Sequence, residues 1–352
     1  MSRFLTEKIL KLEPYVPGEQ PKDRKYIKLN TNESPFPPSE QAIKLASEEL
    51  ERLMLYPDPD CVRLRDAVAS EYGVAPENVI LTNGSDEVLN FAFMAYCDGD
   101  IPALFADITY GFYEVFANVN AVPCEVIPLK DDFSLDVDDY IGKCGTVFIA
   151  NPNAPTGKAI PLSDIEKLLN SNRDRVVVID EAYVDFGAES AVSLIGKYDN
   201  LLVTQTFSKS RSMAGARLGF GIASENIISD LHRIRYSTNP YNVNRMTAAA
   251  GLGAILDREY FVNNCAQIIK NRAFTTQELA KLGFDVIESK TNFVFARSNE
   301  IGGKELYLAL KSRGILVRHF SKSRIKDYVR ITVGSAEQMQ ALVLAIKMIL
   351  EK

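Results

Sequence analysis

The chain has 352 residues, 46 acidic against 40 basic side chains and a formal charge of −6, with 46% hydrophobic and 24% charged residues, an ordinary soluble globular profile. That mildly acidic balance offers no clustered basic footprint for nucleic acid or for an anionic membrane surface. Two histidines, His232 and His319, nearly exclude a His-rich zinc site, and five scattered cysteines without a Cys-x-x-Cys pair argue against a disulfide framework, a zinc ribbon or an iron–sulfur cluster.

Residues 1–15 mix charges of both signs into their apolar positions. They read as neither a signal peptide nor a membrane anchor, so a cytoplasmic location is expected. The Pro-rich stretch Ser34–Pro38 reads as an extended arm. From about residue 75 to 225, short β-branched runs alternate with amphipathic stretches, the rhythm of βαβ units. Strands are expected at Val79–Leu81, Ile101–Phe105, Val122–Ile127, Thr146–Ala150, Val176–Ile179, Leu201–Thr204 and Leu218–Ile222. Several are apolar throughout, which a sheet covered by helices on both faces demands. Helical spacing marks Ser85–Tyr96 and Leu162–Leu169, the second opened by Pro161 and Ser163. Beyond residue 225 a helical region runs from Asn226 to Gly283. Short strands follow at Phe284–Glu288 and Phe293–Ala296, then a helix at Lys304–Arg313, strands at Ile315–Val317 and Tyr328–Val333, and a closing helix at Ala336–Leu350. The expected fold is α/β: a large domain with a mostly parallel seven-stranded central sheet covered by helices, plus a smaller α+β domain. The expected limits are an N-terminal arm at 1–30 belonging to the small domain, the large domain at 31–260 and the small domain at 261–352.

Three segments of the large domain carry chemistry. Leu81–Asp86 leaves a strand, turns on Gly84 and enters a helix, which aims free backbone N–H groups and the positive helix end at one spot. It reads as a phosphate cradle or, more blandly, as an N-capped helix after a tight turn. In Val176–Tyr183 an apolar strand ends in Asp180 and Glu181 at the carboxyl edge where open α/β sheets bind ligands. Asp180 could hold a proton on a ligand's ring nitrogen and Tyr183 could turn a phenol to the same ligand; the alternative is a carboxylate capping the next turn. In Thr204–Gly219, Lys209 sits among small hydroxyls, and Arg217 lies between Gly215 and Gly219. A partly desolvated lysine near a second cation can form a Schiff base, although a loop lysine is usually just solvated. Small neighbours let the Arg217 fork approach a phosphate closely. A phosphate seat, an anion for a ring nitrogen and an amine for an aldehyde are together what pyridoxal phosphate requires. Neither Gly-x-Gly-x-x-Gly nor Gly-Lys-Ser/Thr is present for the competing nucleotide cofactors.

Leu29–Pro35, Tyr56–Asp58, Asn83–Glu87, Asn151–Gly157, Asp180–Tyr183, Phe207–Lys209 and Val329–Gly334, in that order and spacing, resemble the fold type I pyridoxal-phosphate aminotransferases almost end to end, and most closely their histidinol-phosphate branch. The resemblance implies an aspartate-aminotransferase-like fold in which Lys209 holds the cofactor as a Schiff base and later moves the substrate proton. Asp180 would keep the pyridine nitrogen protonated, Tyr183 would bond the phenolic oxygen, and Tyr110 would stack on the ring. Gly84, Ser85, Asp86, Thr206, Ser208 and Arg217 would hold the phosphate, with Tyr56 reaching it from a partner subunit, which implies a homodimer with shared active sites. Arg330 resembles the arginine that serves the α-carboxylate of glutamate and the phosphate of histidinol phosphate in turn. Arg318 matches a second arginine at that phosphate, and Tyr15 and Asn32 match arm contacts to substrate; Arg318 also reads as a surface cation and Tyr15 as a packing residue.

The implied activity is transamination between histidinol phosphate and 2-oxoglutarate, giving imidazole-acetol phosphate and glutamate in histidine biosynthesis. Aromatic amino acid transamination and threonine-phosphate decarboxylation are the alternatives on the same fold, and a non-catalytic binding protein is disfavoured by the intact Lys209. One position departs from the pattern. Ala154 stands where most relatives have an Asn whose amide contacts the phenolic oxygen, and Tyr183, with water or Asn153, is expected to supply that contact instead.

Overall fold

The computed structural model describes residues 2–10, 12 and 17–351. Its thirteen strands are β1 Ile27–Lys28, β2 Val79–Thr82, β3 Ala103–Ala106, β4 Cys124–Ile127, β5 Thr146–Ala150, β6 Val177–Asp180, β7 Leu201–Thr206, β8 Gly219–Ala223, β9 Phe284–Ile287, β10 Phe293–Ser298, β11 Ile315–Leu316, β12 Arg318–His319 and β13 Tyr328–Thr332. Seven of them form the central sheet, in the order β2-β8-β7-β6-β5-β3-β4. Only β8 runs against the others. The fold class is the one expected, and strand limits differ from the sequence reading by one or two residues: the apolar runs begin before the ladder at β3 and β4, and the ladder continues into polar Thr82, Asp180 and Thr206 at the ends of β2, β6 and β7.

Both faces of the sheet are buried, and alternation along β6 shows how. Val177 and Ile179 point into one apolar layer, with Leu64 and Val68 of helix Val62–Tyr72 and Ile165 and Leu168 of helix Leu162–Ser171. Val178 points into the other, with Leu89 and Phe93 of helix Ser85–Tyr96 and Phe116 of helix Phe112–Asn120. Adjacent residues of a strand face opposite sides, so Asp180 continues the Val178 side and Glu181 the Ile179 side. The register sets Ala150, Asp180 and Thr204 side by side, and Thr206 opposite Gly219.

The smaller sheet, in the order β12-β13-β10-β9, is antiparallel throughout. It packs on helices Arg258–Lys281, Gly303–Ser312 and Ala336–Leu350 through a third apolar layer containing Ile268, Val294, Leu306, Ile331 and Ile346. The last helix starts where expected because Ser335 and Gln338 close a capping box. The helical region read as Asn226–Gly283 is three helices, Glu225–Thr238, Arg245–Leu256 and Arg258–Lys281. The N-terminal segment joins the small sheet region: β1 pairs parallel with β11, and Leu29 is buried in the third layer.

Candidate active site

The carboxyl ends of β2, β5, β6 and β7 surround a cavity of about 280 Å³, lined among others by Ser85, Asp86, Tyr110, Asp180, Tyr183 and Lys209. Thr206, Ser208 and Arg217 line it too, so residues from all three sequence segments meet in one space.

At one end the chain turns on Gly84 (φ +81°) into helix Ser85–Tyr96. A Cβ on Gly84 would come within 2.8 Å of Arg217 Nη2, and one on Gly219 within 2.3 Å of the Ser85 backbone N. Only glycine permits either approach, and the result brings the helix N-terminus and Arg217 into one corner. Arg217 itself holds a left-handed backbone (φ +53°), a conformation that costs a non-glycine residue about 1 kcal/mol or more. Its Nη2 lies 3.1 Å from Asp86 Oδ2, and the Tyr110 hydroxyl donates to Asp86 Oδ1 at 2.7 Å. The Asp86 carboxylate therefore faces the guanidinium, and what Asp86 can offer an incoming anion is its backbone N–H. Burial and the neighbouring Asp86 push the Tyr110 phenol well above its ordinary range, so it stays protonated. Thr206 and Ser208 hydroxyls bond each other at 3.0 Å beside the same corner.

At the other end Asp180 is 4% exposed. Burial raises its pKa to about 7, against the pull of two donors: the Tyr113 hydroxyl on Oδ2 at 3.0 Å and the Ala182 N–H on Oδ1 at 3.2 Å. Nearby Asp86 raises it further and Lys209 lowers it. A buried carboxylate of this kind is relieved by a cation brought to it. Lys209 Nζ lies 5.8 Å from the centre of the Tyr183 ring, and the Tyr183 hydroxyl accepts from Asn32 Nδ2 at 2.9 Å.

A second cavity of about 440 Å³ opens from the first and shares Thr31, Tyr110, Ala154, Tyr183 and Lys209 with it. Arg318 and Arg330 line it and lie directly opposite each other in the β12–β13 register. Both guanidinium groups sit 5.8 Å from the Phe320 ring, and Arg330 Nη2 donates to the Asn30 carbonyl at 3.1 Å. Like charges opposite each other on a sheet are unfavourable, and the Glu19 carboxylate already offsets part of that cost: against the effect of burial, Lys311, Tyr307 and Arg318 together hold its pKa below the ordinary value.

Two expected residues stand apart. Tyr56 is 79% exposed, stacks on Tyr241 with ring centres 4.7 Å apart and does not line this chain's own cavity. Tyr15 lies outside the described residues. One expectation is corrected: Asn153 has no donor to spare for a ligand. Its Nδ2 donates to the Ile108 carbonyl and to Thr156 Oγ1, both at 2.9 Å, while its Oδ1 accepts from Thr109. Sequence reasoning gave no role to Thr31 and Glu33, although they lie in the quoted Leu29–Pro35 stretch, and passed over Tyr113 and Phe320. Tyr113 follows Tyr110 by three residues at a helix start, a spacing that puts both phenols on one face and was the available signal.

The sequence profile of the family "Aminotransferase class I and II" matches residues 24–346. The chain belongs to this family. It is 52% identical to a histidinol-phosphate aminotransferase of Marinomonas sp. (strain MWYL1) over 99% of both chains, and 49% identical to that of Clostridium acetobutylicum, again over 99% of both. Among solved structures, the histidinol-phosphate aminotransferase of Sinorhizobium meliloti in complex with pyridoxal-5'-phosphate superposes with a TM-score of 0.90, at 22% identity, over 100% of this chain and 98% of that one.

Proposed function

We propose that this aminotransferase transfers the amino group between L-histidinol phosphate and 2-oxoglutarate, as a cytoplasmic, pyridoxal-phosphate-dependent homodimer. The observation that carries the reading is the Arg318–Arg330 pair, set side by side in a cavity that also contains Lys209. Two adjacent forks suit a doubly charged phosphate and a planar carboxylate alike, so one seat accepts both the phosphorylated donor and the dicarboxylate partner.

The residues present fit the cofactor. The corner that a Cβ at Gly84 or Gly219 would fill offers backbone N–H groups, small hydroxyls and the Arg217 guanidinium to a phosphate. Asp180, buried and in want of a cation, would face the pyridine nitrogen, and Lys209 would take the aldehyde. When bound, the cofactor supplies an electron sink for the charge left as the substrate Cα proton departs. Lys209 Nζ takes that proton and returns it, a role that needs an amine reaching both cavities, as it does here. Asp180 holds a proton on the ring nitrogen, Tyr110 confines the ring face, and Arg318 and Arg330 orient the substrate anion. Support for a dimer comes from the exposed run Leu53, Met54, Leu55 and Tyr56, each more than half accessible. A cluster of that kind marks a surface covered by a partner, and it would let a partner's Tyr56 complete the phosphate corner.

The test is a single-turnover spectrum of the loaded protein. L-Histidinol phosphate added without keto acid should bleach the visible band at lower concentration than phenylalanine or threonine phosphate, and 2-oxoglutarate should restore it. Consumption by phenylalanine or threonine phosphate alone would overturn the substrate reading, and failure to acquire any band would overturn the cofactor reading.

A further inference from the structure

Ala154 is 7% exposed, lines both cavities and has no polar atom in its side chain, and the side-chain donors of Asn153 are spent. The donor that most relatives place at position 154 has to come from elsewhere, and Tyr183 is the phenol at hand.

A phenol can donate or accept, so its usefulness depends on which way its proton points. Three bonds decide it here. The Asn32 backbone N–H donates to Thr332 Oγ1 at 2.9 Å, which leaves the threonine proton free to go to Asn32 Oδ1 at 3.0 Å. With its oxygen claimed by Thr332, the Asn32 carboxamide presents its Nδ2 to the Tyr183 oxygen at 2.9 Å. An amide nitrogen only donates, so Tyr183 accepts there and its own proton is turned to the cavity it lines. Asn32 is held for this work: it is 1% exposed, keeps a left-handed backbone (φ +55°), and its carbonyl accepts from Asn292 Nδ2 at 3.0 Å. The order is Thr332 to Asn32 to Tyr183, each donating to the next.

We infer that Asn32, locked by Thr332, is a positioning residue that makes Tyr183 a one-way donor to the cofactor's phenolic oxygen, replacing the amide that Ala154 lacks. Asn32 also lines the second cavity, where its expected substrate contact would be made; the positioning role is additional to that expectation, and it rests on the cofactor reading proposed above. A donor on the phenolic oxygen withdraws charge from it and weakens its hold on the proton of Lys209 Nζ in the loaded protein. Loss of that donor therefore raises the pH at which Nζ loses its proton.

The experiment titrates the visible absorption of the loaded, substrate-free protein. Tyr183→Phe should move the midpoint up by about one pH unit, roughly what one hydrogen bond contributes. Asn32→Gly, which tolerates the left-handed backbone, and Asn32→Asp, whose carboxylate would draw the tyrosine proton away from the cavity, should move it the same way. Thr332→Val should give a smaller upward shift, and Thr332→Ser, which keeps the hydroxyl, none. In a Tyr183→Phe background Asn32→Gly should add nothing, which separates relay through the phenol from a general change of charge or packing. A raised KM for histidinol phosphate in Asn32→Gly with an unchanged midpoint would overturn the inference in favour of a substrate contact, as would additive shifts in the double variant. A wild-type protein that acquires no visible band would instead overturn the cofactor reading on which the inference stands.

Discussion

Asp180 and Glu181 are neighbours at the end of one strand, both almost wholly buried, and burial raises both to a pKa of about 7, yet the two faces of the sheet use them differently. On the cavity face Asp180 has two donors and an open space beside it. On the opposite face Glu181 accepts from Ser190 Oγ and the Ala191 N–H at 2.6 Å and from Gln205 Nε2 at 2.8 Å, and Gln205 in turn accepts from Tyr72. Glu181 does not line either ligand cavity. A perturbed pKa thus marks both residues equally, and only the presence of a cavity separates the carboxylate available to a ligand from the one that ties loops to the sheet.

Exchanging each residue for alanine breaks the comparison most sharply. Asp180→Ala should lower kcat/KM on the order of a thousandfold, since the electron sink depends on a protonated ring nitrogen, while apo-protein stability at pH 8 changes by less than about 1 kcal/mol, because water from the cavity that Asp180 lines can reach the two donors it leaves and the cost of a buried charge is relieved. Glu181→Ala strands three donors, two of them buried, and should cost about 2–3 kcal/mol in urea unfolding, with kcat of the folded fraction within about threefold of wild type. Equal kinetic losses in the two variants would remove the distinction between the faces.

The pH dependence sharpens it. In the unfolded chain these carboxyls give up their protons near their ordinary values of 3.8 and 4.5, whereas the fold keeps them until about pH 7. Between those limits the unfolded state binds fewer protons, so their contribution to stability is complete below about pH 4 and is lost as pH rises to about 7. Subtracting the unfolding profile of Asp180→Ala or Glu181→Gln from that of wild-type apo-protein isolates each share. Pyridoxal phosphate should abolish the Asp180 share, because a cation beside that carboxyl lowers its pKa, and should leave the Glu181 share in place. A cofactor that flattened both, or neither, would show that the faces are not separate.

Much of this was legible in the chain. The apolar run Val176–Ile179 announces a strand covered on both faces, and the Asp-Glu at its end announces the ligand edge, because hydropathy and alternation are local properties. The direction each side chain takes also follows from alternation once the strand is fixed. What one sequence could not give is the partner of each group. Tyr113 is 67 positions from Asp180, and Thr332 is 300 from Asn32, and such pairings exist only after the sheet and its helices have closed. The expectation for Asn153 failed in large part for the same reason: besides nearby Thr156, its carboxamide is taken up by Ile108 and Thr109, some 45 positions earlier. Arg318 and Arg330 were read as a pair by resemblance, whereas their direct opposition follows from the β12–β13 register.

The smallest expected effect tests the donors themselves. Tyr113 is fully buried, and its phenol is pushed far above its ordinary range by burial and by Asp180, so it remains a donor at every working pH. Tyr113→Phe removes one of the two donors on Asp180. The carboxyl then holds its proton to higher pH, and in the loaded protein it competes more strongly for the proton that the ring nitrogen needs. A hydrogen bond of about 1 kcal/mol translates to roughly a fivefold fall in kcat, largest at the acid side of the pH profile, where Asp180 is protonated first. Ser190→Ala is the matched change on the opposite face, taking one donor from Glu181, and should leave kcat and its pH profile unmoved while lowering stability by about 1 kcal/mol. If the two substitutions altered the profile alike, the hydrogen-bond network would be continuous through the strand, and Asp180 would be tuned from both sides of the sheet.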